Sequence, residues 1–253
     1  MPTPHPPHAV DSLRSRCQAS STRKFNARGI ALQRCQGCLL GLQTCICRWR
    51  TPVSSRVEFV LIMHRDEVFK PTNTGRLIAD TLPSQCHAYL WSRTEPDAEL
   101  LQLLADPARQ CVLVFPPRPE QPRPLASPAD LHDDSRTLTF LLLDGTWKQA
   151  SKMAAKASWL RGIPALDLDA VVADQQPVSG NYQLRQASAD HHLSTAEAAA
   201  LCLRAANQSH ASETLLDYFN VFNEHYVSTR MNRRPNTLPA HHRLLGTANE
   251  PAA

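Results

Sequence analysis

Along the chain, continuous apolar runs alternate with stretches in which apolar residues recur every three or four positions. The runs Val57–Met63 (VEFVLIM), Cys111–Phe115 (CVLVF) and Leu138–Asp144 (LTFLLLD) are short and rich in Val, Leu and Phe, the pattern of strands covered on both faces of a parallel sheet. Helical spacing marks Gly75–Leu82, Pro96–Ala105, Trp147–Leu160, a segment starting at Ser194 or Thr195, and Ser212–Tyr226. In the last of these, Leu215, Leu216, Phe219, Phe222 and Tyr226 share one face. Ala165–Val171 reads as another short strand. Strands alternating with helices predict an α/β domain with a mostly parallel sheet.

Proline and polar residues divide this pattern. Six prolines between 116 and 128 (PPRPEQPRPLASP) exclude regular structure and predict a stiff surface loop before the third strand. Residues 1–29 have no hydrophobic periodicity and read as a basic, mobile tail with at most a short helix near its end, and residues 231–253 read as a second mobile tail. Between them lie a cysteine knuckle at 30–50 and a catalytic-sized domain at 51–230.

Charge sharpens the division. Residues 1–56 carry nine Lys and Arg against Asp11 alone, a net +8, and the remaining residues net −4. A basic front end on a near-neutral body suits a polyanion partner, and also suits a merely solvated tail. No apolar run reaches the roughly 20 residues that span a bilayer, and the first residues lack the apolar centre of a signal peptide, so a soluble, cytoplasmic protein without a membrane partner is expected.

Eight cysteines in such a chain argue against a disulfide framework. Four of them, Cys35, Cys38, Cys45 and Cys47, form a C-x2-C-x6-C-x-C pattern (RCQGCLLGLQTCIC). Four thiolates at close spacing suit tetrahedral zinc and leave no position open for water, so the predicted site is structural; the alternative is four reduced cysteines packed as small apolar groups.

The stretch LLLDGTWKQA combines several chemical possibilities at one point. Asp144 falls where a parallel strand ends, the place where an open α/β sheet binds its ligands. Gly145 permits a tight turn, Thr146 can cap the following helix, and Trp147 offers a flat face to a base. Lys148, Lys152 and Lys156 recur every fourth residue as a basic stripe. Each also suits ordinary structure: an acid at a helix dipole, a core indole and an exposed lysine face.

Taken together, LLLDGTWKQA resembles the D-x-T-W signature of the DTW-domain family, the tRNA-uridine aminocarboxypropyltransferases. Further segments agree in the family's order: the cysteine knuckle, HRDEVFKPTNTGRL with its H-x-x-E and Thr-Gly elements, LVFPP, YQLR and LSTAEA. The resemblance spans roughly residues 30 to 225, and departs from the family in the proline-rich stretch and in Arg65, where a proline is expected after His64. It implies a SPOUT-like fold with a C-terminal knotted region that binds S-adenosylmethionine. It also implies transfer of that donor's 3-amino-3-carboxypropyl group to N3 of a tRNA uridine, in the variable loop for bacterial members and in the D-loop for relatives elsewhere, releasing 5′-methylthioadenosine.

Carried onto this chain, the resemblance assigns Leu113, Phe115, Pro116, Asp144, Thr146, Trp147, Tyr182, Arg185, Ser194, Thr195 and Glu197 to the donor, with backbone contacts from the loops after Phe115, Leu143 and Val178. It assigns His64, Glu67, Asn73, Thr74, Arg76, Lys148 and Lys152 to the nucleic acid. Ser194 and Glu197 also make a helix capping box, and Arg185 and Tyr182 suit a salt bridge and a core aromatic as readily as a carboxylate and a base. Asp144 is the candidate general base for N3, or else the group that holds the donor's positive charge. Rival readings are a methyl-transferring relative and a zinc-knuckle RNA-binding protein without catalysis. No obligate protein partner is evident, and dimerisation is left open.

Overall fold

The computed structural model describes residues 6–21, 32–117, 122–132, 135–168 and 193–246. Five strands form one parallel sheet: β1 (Glu58–Met63), β2 (Cys86–Leu90), β3 (Arg109–Val114), β4 (Thr137–Asp144) and β5 (Ala165–Leu166), in the order β2-β1-β4-β3-β5. The three apolar runs are strands β1, β3 and β4, side by side at the centre, as the continuous apolar pattern requires.

Side chains alternate across these strands, and each face is covered by its own helices. Phe59, Leu61, Met63, Phe140 and Leu142 face a layer built by α1 (Ala9–Ser20), α2 (Gly75–Thr81), α5 (Thr195–Ala205) and α6 (Ser209–Met231). Val60, Ile62, Leu113, Leu141 and Leu143 face α3 (Ala98–Ala105) and α4 (Trp147–Lys156). The expected α/β architecture is therefore present as a three-layer sandwich. The knotted donor-binding region implied by the resemblance falls partly on residues 169–192, outside the described residues, as do Tyr182 and Arg185; the strand expected over 165–171 is shorter, ending at Leu166.

Both expected tails need correction where they are described. Helix α1 sets Val10, Leu13 and Cys17 at i, i+3 and i+7, and all three are buried. Its cap, His8, accepts from the Asp11 amide through Nδ1, leaving the Nε2 proton to the Asp80 carboxylate 2.9 Å away. At the other end, α7 (Pro239–Leu244) docks on α6: Arg243 grips Asp217 with two nitrogens at 2.5 and 2.7 Å, and His225 and His241 meet Nε2 to Nε2 at 3.0 Å. Their tautomers follow from their partners: Nδ1 of His225 donates to the Thr44 carbonyl, and Nδ1 of His241 accepts from the Leu238 amide. His241 thus donates to His225, and the pair is neutral and closed. Strand β2, which no apolar run announces, is an edge strand whose His87 pairs with Glu58.

Asp80 ties these pieces together. Its side chain is fully buried, and His8 from α1, Arg50 after the cysteine knuckle, Arg76 one turn earlier in α2 and Tyr218 from α6 reach it at 2.9, 2.9, 3.1 and 3.2 Å. Burial alone would raise its carboxyl, but the His8 hydrogen bond and the charges of Arg76 and Arg50 outweigh burial and hold it below its ordinary value. This arrangement corrects the assignment of Arg76 to nucleic-acid binding, because Arg76 is 1% exposed and its charge is committed to Asp80. Replacing Asp80 by Ala leaves two buried guanidinium groups without their counter-charge and is expected to cost about 3–5 kcal/mol of stability, read from urea unfolding.

Candidate functional site

At the carboxyl edge of the sheet, a cavity of about 170 Å³ opens between β3, β4, β5, α4 and α5. Val114, Leu142, Leu143 and Leu166 form much of its apolar wall, and Phe115 and Trp147 stack beside it with ring centroids 5.5 Å apart and planes 14° from parallel. Trp147 is 43% exposed, so the indole offers surface to a ligand. The volume is below the roughly 300–1,000 Å³ of small-molecule sites. Leu168 and Leu193, the residues flanking the undescribed segment 169–192, both line it.

Two capping boxes shape the cavity's ends. Thr146 accepts from the Gln149 amide at 3.3 Å while Gln149 Oε1 accepts from the Thr146 amide at 2.8 Å, which starts α4 immediately after the Gly145 turn. Ser194 and Glu197 do the same for α5, at 3.3 and 2.9 Å. Gln149 Nε2 then faces His64 Nδ1 at 3.1 Å, and that same ring nitrogen also accepts from the Asp66 amide. With two donors on Nδ1, neutral His64 carries its proton on Nε2.

Asp144 stands behind the cavity wall. Its register partner is Met63, the last residue of β1, and its carbonyl accepts from the His64 amide at 2.8 Å. Asn73 Nδ2 donates to one carboxylate oxygen at 2.5 Å and Thr195 Oγ1 to the other at 2.6 Å. Gly75 makes room for it, since a Cβ there would lie 3.0 Å from three atoms of the carboxylate. The group is 2% exposed and is not among the residues lining the cavity. A base open to the nucleotide was expected; the structure instead gives a carboxylate that ties the β4 end to the Asn73 loop and to the start of α5. Burial, with the nearby charge of Glu67, pushes its pKa up to about 6 against the pull of the Thr195 and Asn73 hydrogen bonds.

The other expected site residues sort by this frame. Phe115, Pro116, Trp147, Ser194 and Thr195 line the cavity. Thr146 and Glu197 serve it as caps. Asn73 is bonded to Asp144, Thr74 precedes α2, and Glu67 pairs with Lys70 at 2.6 Å. Lys148 and Lys152 are exposed along α4, with Lys156 one turn on. Leu113 needs correction: it is 0% exposed, on the strand face packed against α3 and α4, and does not line the cavity. The sequence reading missed Asp167, one residue beyond β5, which lines the cavity as a half-buried acid. Its signal was available, because Asp167 follows an apolar strand as Asp144 does.

The cysteines form a second centre. Sulfur–sulfur distances of 3.6 Å (Cys35 to Cys47) and 3.7 Å (Cys38 to Cys45), with all four sulfurs within 4.8 Å of one another, can hold a metal ion. They agree with the separation of about 3.8 Å that metal–sulfur bonds of ~2.3 Å impose in a tetrahedron. Gly37 belongs to that turn, since a Cβ there would lie 3.1 Å from Cys47 Sγ. Beside it, Arg50 Nη2 and Arg76 Nη2 are buried without a hydrogen-bond acceptor among the described residues. Against the effect of burial, Asp80 chiefly and then Tyr218 raise both arginines, and Cys47 beside Arg50 and Cys38 beside Arg76 act in the same direction. A tetrathiolate with one divalent ion carries −2, the countercharge those guanidinium groups need.

Two outcomes follow from these geometries. Cys35→Ser is expected to lose most of the bound metal, measured as the metal-to-protein ratio after dialysis. Because the folded-state pKa of Asp144 is raised above its ordinary value near 3.8, its favourable contribution is complete below about pH 4 and is lost as pH rises through about 6. Asp144→Asn, which can still bond Asn73 and Thr195, should therefore gain on the order of 2 kcal/mol relative to the parent between pH 4 and 7.5 in urea titrations.

No solved structure matches the chain. The family model described as the DTW domain matches residues 32–227, a span that takes in the knuckle, the sheet, the Asp144 turn and most of α6. The chain belongs to the DTW-domain family.

Proposed function

We propose that this protein is a tRNA-modifying enzyme that transfers the 3-amino-3-carboxypropyl group of S-adenosylmethionine to N3 of a uridine, in the variable loop. The observation that carries the reading is the cavity itself: it lies at the carboxyl edge of a parallel sheet, and the DTW turn and the LSTAEA helix start build two of its walls. The chemistry needs a donor held folded, an unstacked base brought to it, and a polyanion gripped outside.

The chain's residues suit these tasks. The Phe115–Trp147 stack gives a flat wall for adenine or for the target base. The start of α5 presents backbone N–H groups that suit a carboxylate, such as the one on the donor's amino-acid end. Asp144 fixes the distance between that helix start and the DTW turn through Thr195, so its role here is positioning. Lys148, Lys152 and Lys156 lie on the exposed face of α4, where a phosphate backbone could approach, and the basic first 56 residues add to the same attraction. The four-cysteine site is assigned to zinc in a structural role, which suits four thiolates and no open position.

In the transfer, N3 loses its proton and bonds to the donor's γ-carbon, while the carbon–sulfur bond breaks with its electron pair left on sulfur. The test incubates the full chain with S-adenosylmethionine and total tRNA and analyses nucleosides and small molecules by mass spectrometry. Aminocarboxypropyl-uridine together with methylthioadenosine is the expected result. A methylated uridine with S-adenosylhomocysteine overturns it in favour of methyl transfer, and tRNA binding without either product overturns it in favour of a non-catalytic RNA-binding role.

A further inference from the structure

On the reading of the chain as a tRNA-modifying enzyme, we infer that a groove at the far end of α4, edged by Arg93, Lys156 and Arg161, grips the phosphate backbone of the tRNA whose base enters the cavity.

The groove, of about 710 Å³, lies between two segments that are distant in sequence. The loop from β2 to α3 brings Arg93, and the end of α4 with the turn Ser158–Leu160 brings Lys156, Trp159 and Arg161. One hydrogen bond joins the two segments, from Trp159 Nε1 to the Ser92 carbonyl at 3.1 Å. Ser92 also accepts from the Glu95 amide through its hydroxyl at 3.0 Å, which shapes the loop. On the other side, the guanidinium of Arg123 reaches the carbonyls of Ala154 and Leu160, before and after Lys156. The backbone that carries the three cations is therefore fixed by the fold.

Three cations and no acid line this groove. All three are exposed, and among the described residues none of them has a carboxylate partner. Glu95 and Asp97 follow Arg93 in the chain, and Asp97 is engaged as the cap of α3, accepting from the Glu99 amide at 2.9 Å. A further guanidinium stands near Arg161: burial first and the charge of Arg161 second hold Arg123 below its ordinary value. Residues 57–253 together net −4, so the groove is a local concentration of positive charge on an acidic body. Lys156 has a local explanation, as a cation in the last turn of a helix, but Arg93 and Arg161 lie outside the α-helices and have none.

The form of the site selects a polyanion. A small anion calls for donors that converge on one point, whereas exposed cations along an open groove suit a row of phosphates. Their attraction extends over a screening length of about 10 Å at 0.1 M salt, so it does not depend on how each side chain is aimed. Trp159, half-buried, and Leu101, 40% exposed, add an apolar surface on which a sugar or base can rest. Position favours the substrate RNA over other polyanions. Helix α4 begins at Trp147 on the cavity wall and ends at Lys156 in the groove, a span of about 15 Å, with Lys148 and Lys152 between them. A backbone laid along this path is held a few nucleotides from the cavity while the target base is unstacked into it. Such a grip positions the RNA and leaves the choice of uridine to other contacts.

The test titrates the full chain with tRNA by fluorescence anisotropy at several salt concentrations, for the parent and for a variant carrying Arg93→Gln, Lys156→Gln and Arg161→Gln. The variant is expected to bind tRNA roughly a hundredfold more weakly at about 0.1 M salt, with the slope of log affinity against log salt shallower by about two. Its binding of S-adenosylmethionine is expected to match the parent's. A charge-keeping variant, with Arg93→Lys, Lys156→Arg and Arg161→Lys, is expected to retain most of the affinity, and a loss there as large as in the glutamine variant overturns the proposal. Unchanged tRNA affinity or an unchanged salt slope in the glutamine variant overturns it too. So does unchanged tRNA binding with weaker binding to phosphatidylserine vesicles, which assigns the groove to a lipid surface. If the triple variant does not fold, the three single glutamine variants answer the same question, each expected to lower the slope by about 0.7. Failure of the enzyme reading looks different: the parent then binds tRNA, the groove still stands or falls by these titrations, and no aminocarboxypropyl-uridine forms. A parent that binds no tRNA overturns both.

Discussion

A single buried carboxylate, Asp80, makes the outer parts of this protein depend on its sheet. The acid sits in α2, and α1, the segment after the cysteine knuckle and α6 each send it a polar group. Two arginines for one aspartate is an excess of positive charge in a place with little solvent, and such an excess is costly unless something nearby absorbs it. The four-cysteine cluster, which could hold a metal ion, lies close enough for Cys38 and Cys47 to act on Arg76 and Arg50, and four thiolates on a divalent ion would supply the balancing negative charge. Cysteine cluster, buried ion network and helix docking therefore meet in one place.

The cavity depends on a second carboxylate in a different way. Asp144 ends β4 in register with the end of β1, and its two oxygens join the Asn73 loop to the start of α5. The glycine at position 75 leaves room for this contact, and Gly145 lets the chain turn at once into the capped helix α4. The DTW signature is in this sense a geometric device. It joins a strand end, a turn and two helix starts, and it leaves the Trp147 face exposed where they meet.

Much of this was legible in the chain. Apolar runs without alternation announced β1, β3 and β4, because strands covered on both faces carry few polar residues. Cysteine spacing announced a cluster that could hold a metal ion, Thr146 announced the start of α4 as its cap, and the Ser194–Glu197 capping box announced that of α5. Less legible were β2, whose edge position tolerates a half-exposed histidine, and α1, whose three apolar contacts are spread among serines and arginines. Arg76 and Leu113 were misplaced for one reason. A motif tells which residues lie near a site, and direction along the strand or helix decides whether they face it.

The sequence by itself determined what is set by neighbours in the chain: the strand and helix periods, the caps, the tight turns and the four-thiol pattern. Tertiary structure alone decided which acids are covered and which line a wall. Asp144 and Asp167 both follow apolar strands, yet one is enclosed by Asn73 and Thr195 while the other lines the cavity. Their partners come from distant segments, and the strength of a charge interaction depends on how much water those segments exclude, which no local pattern encodes.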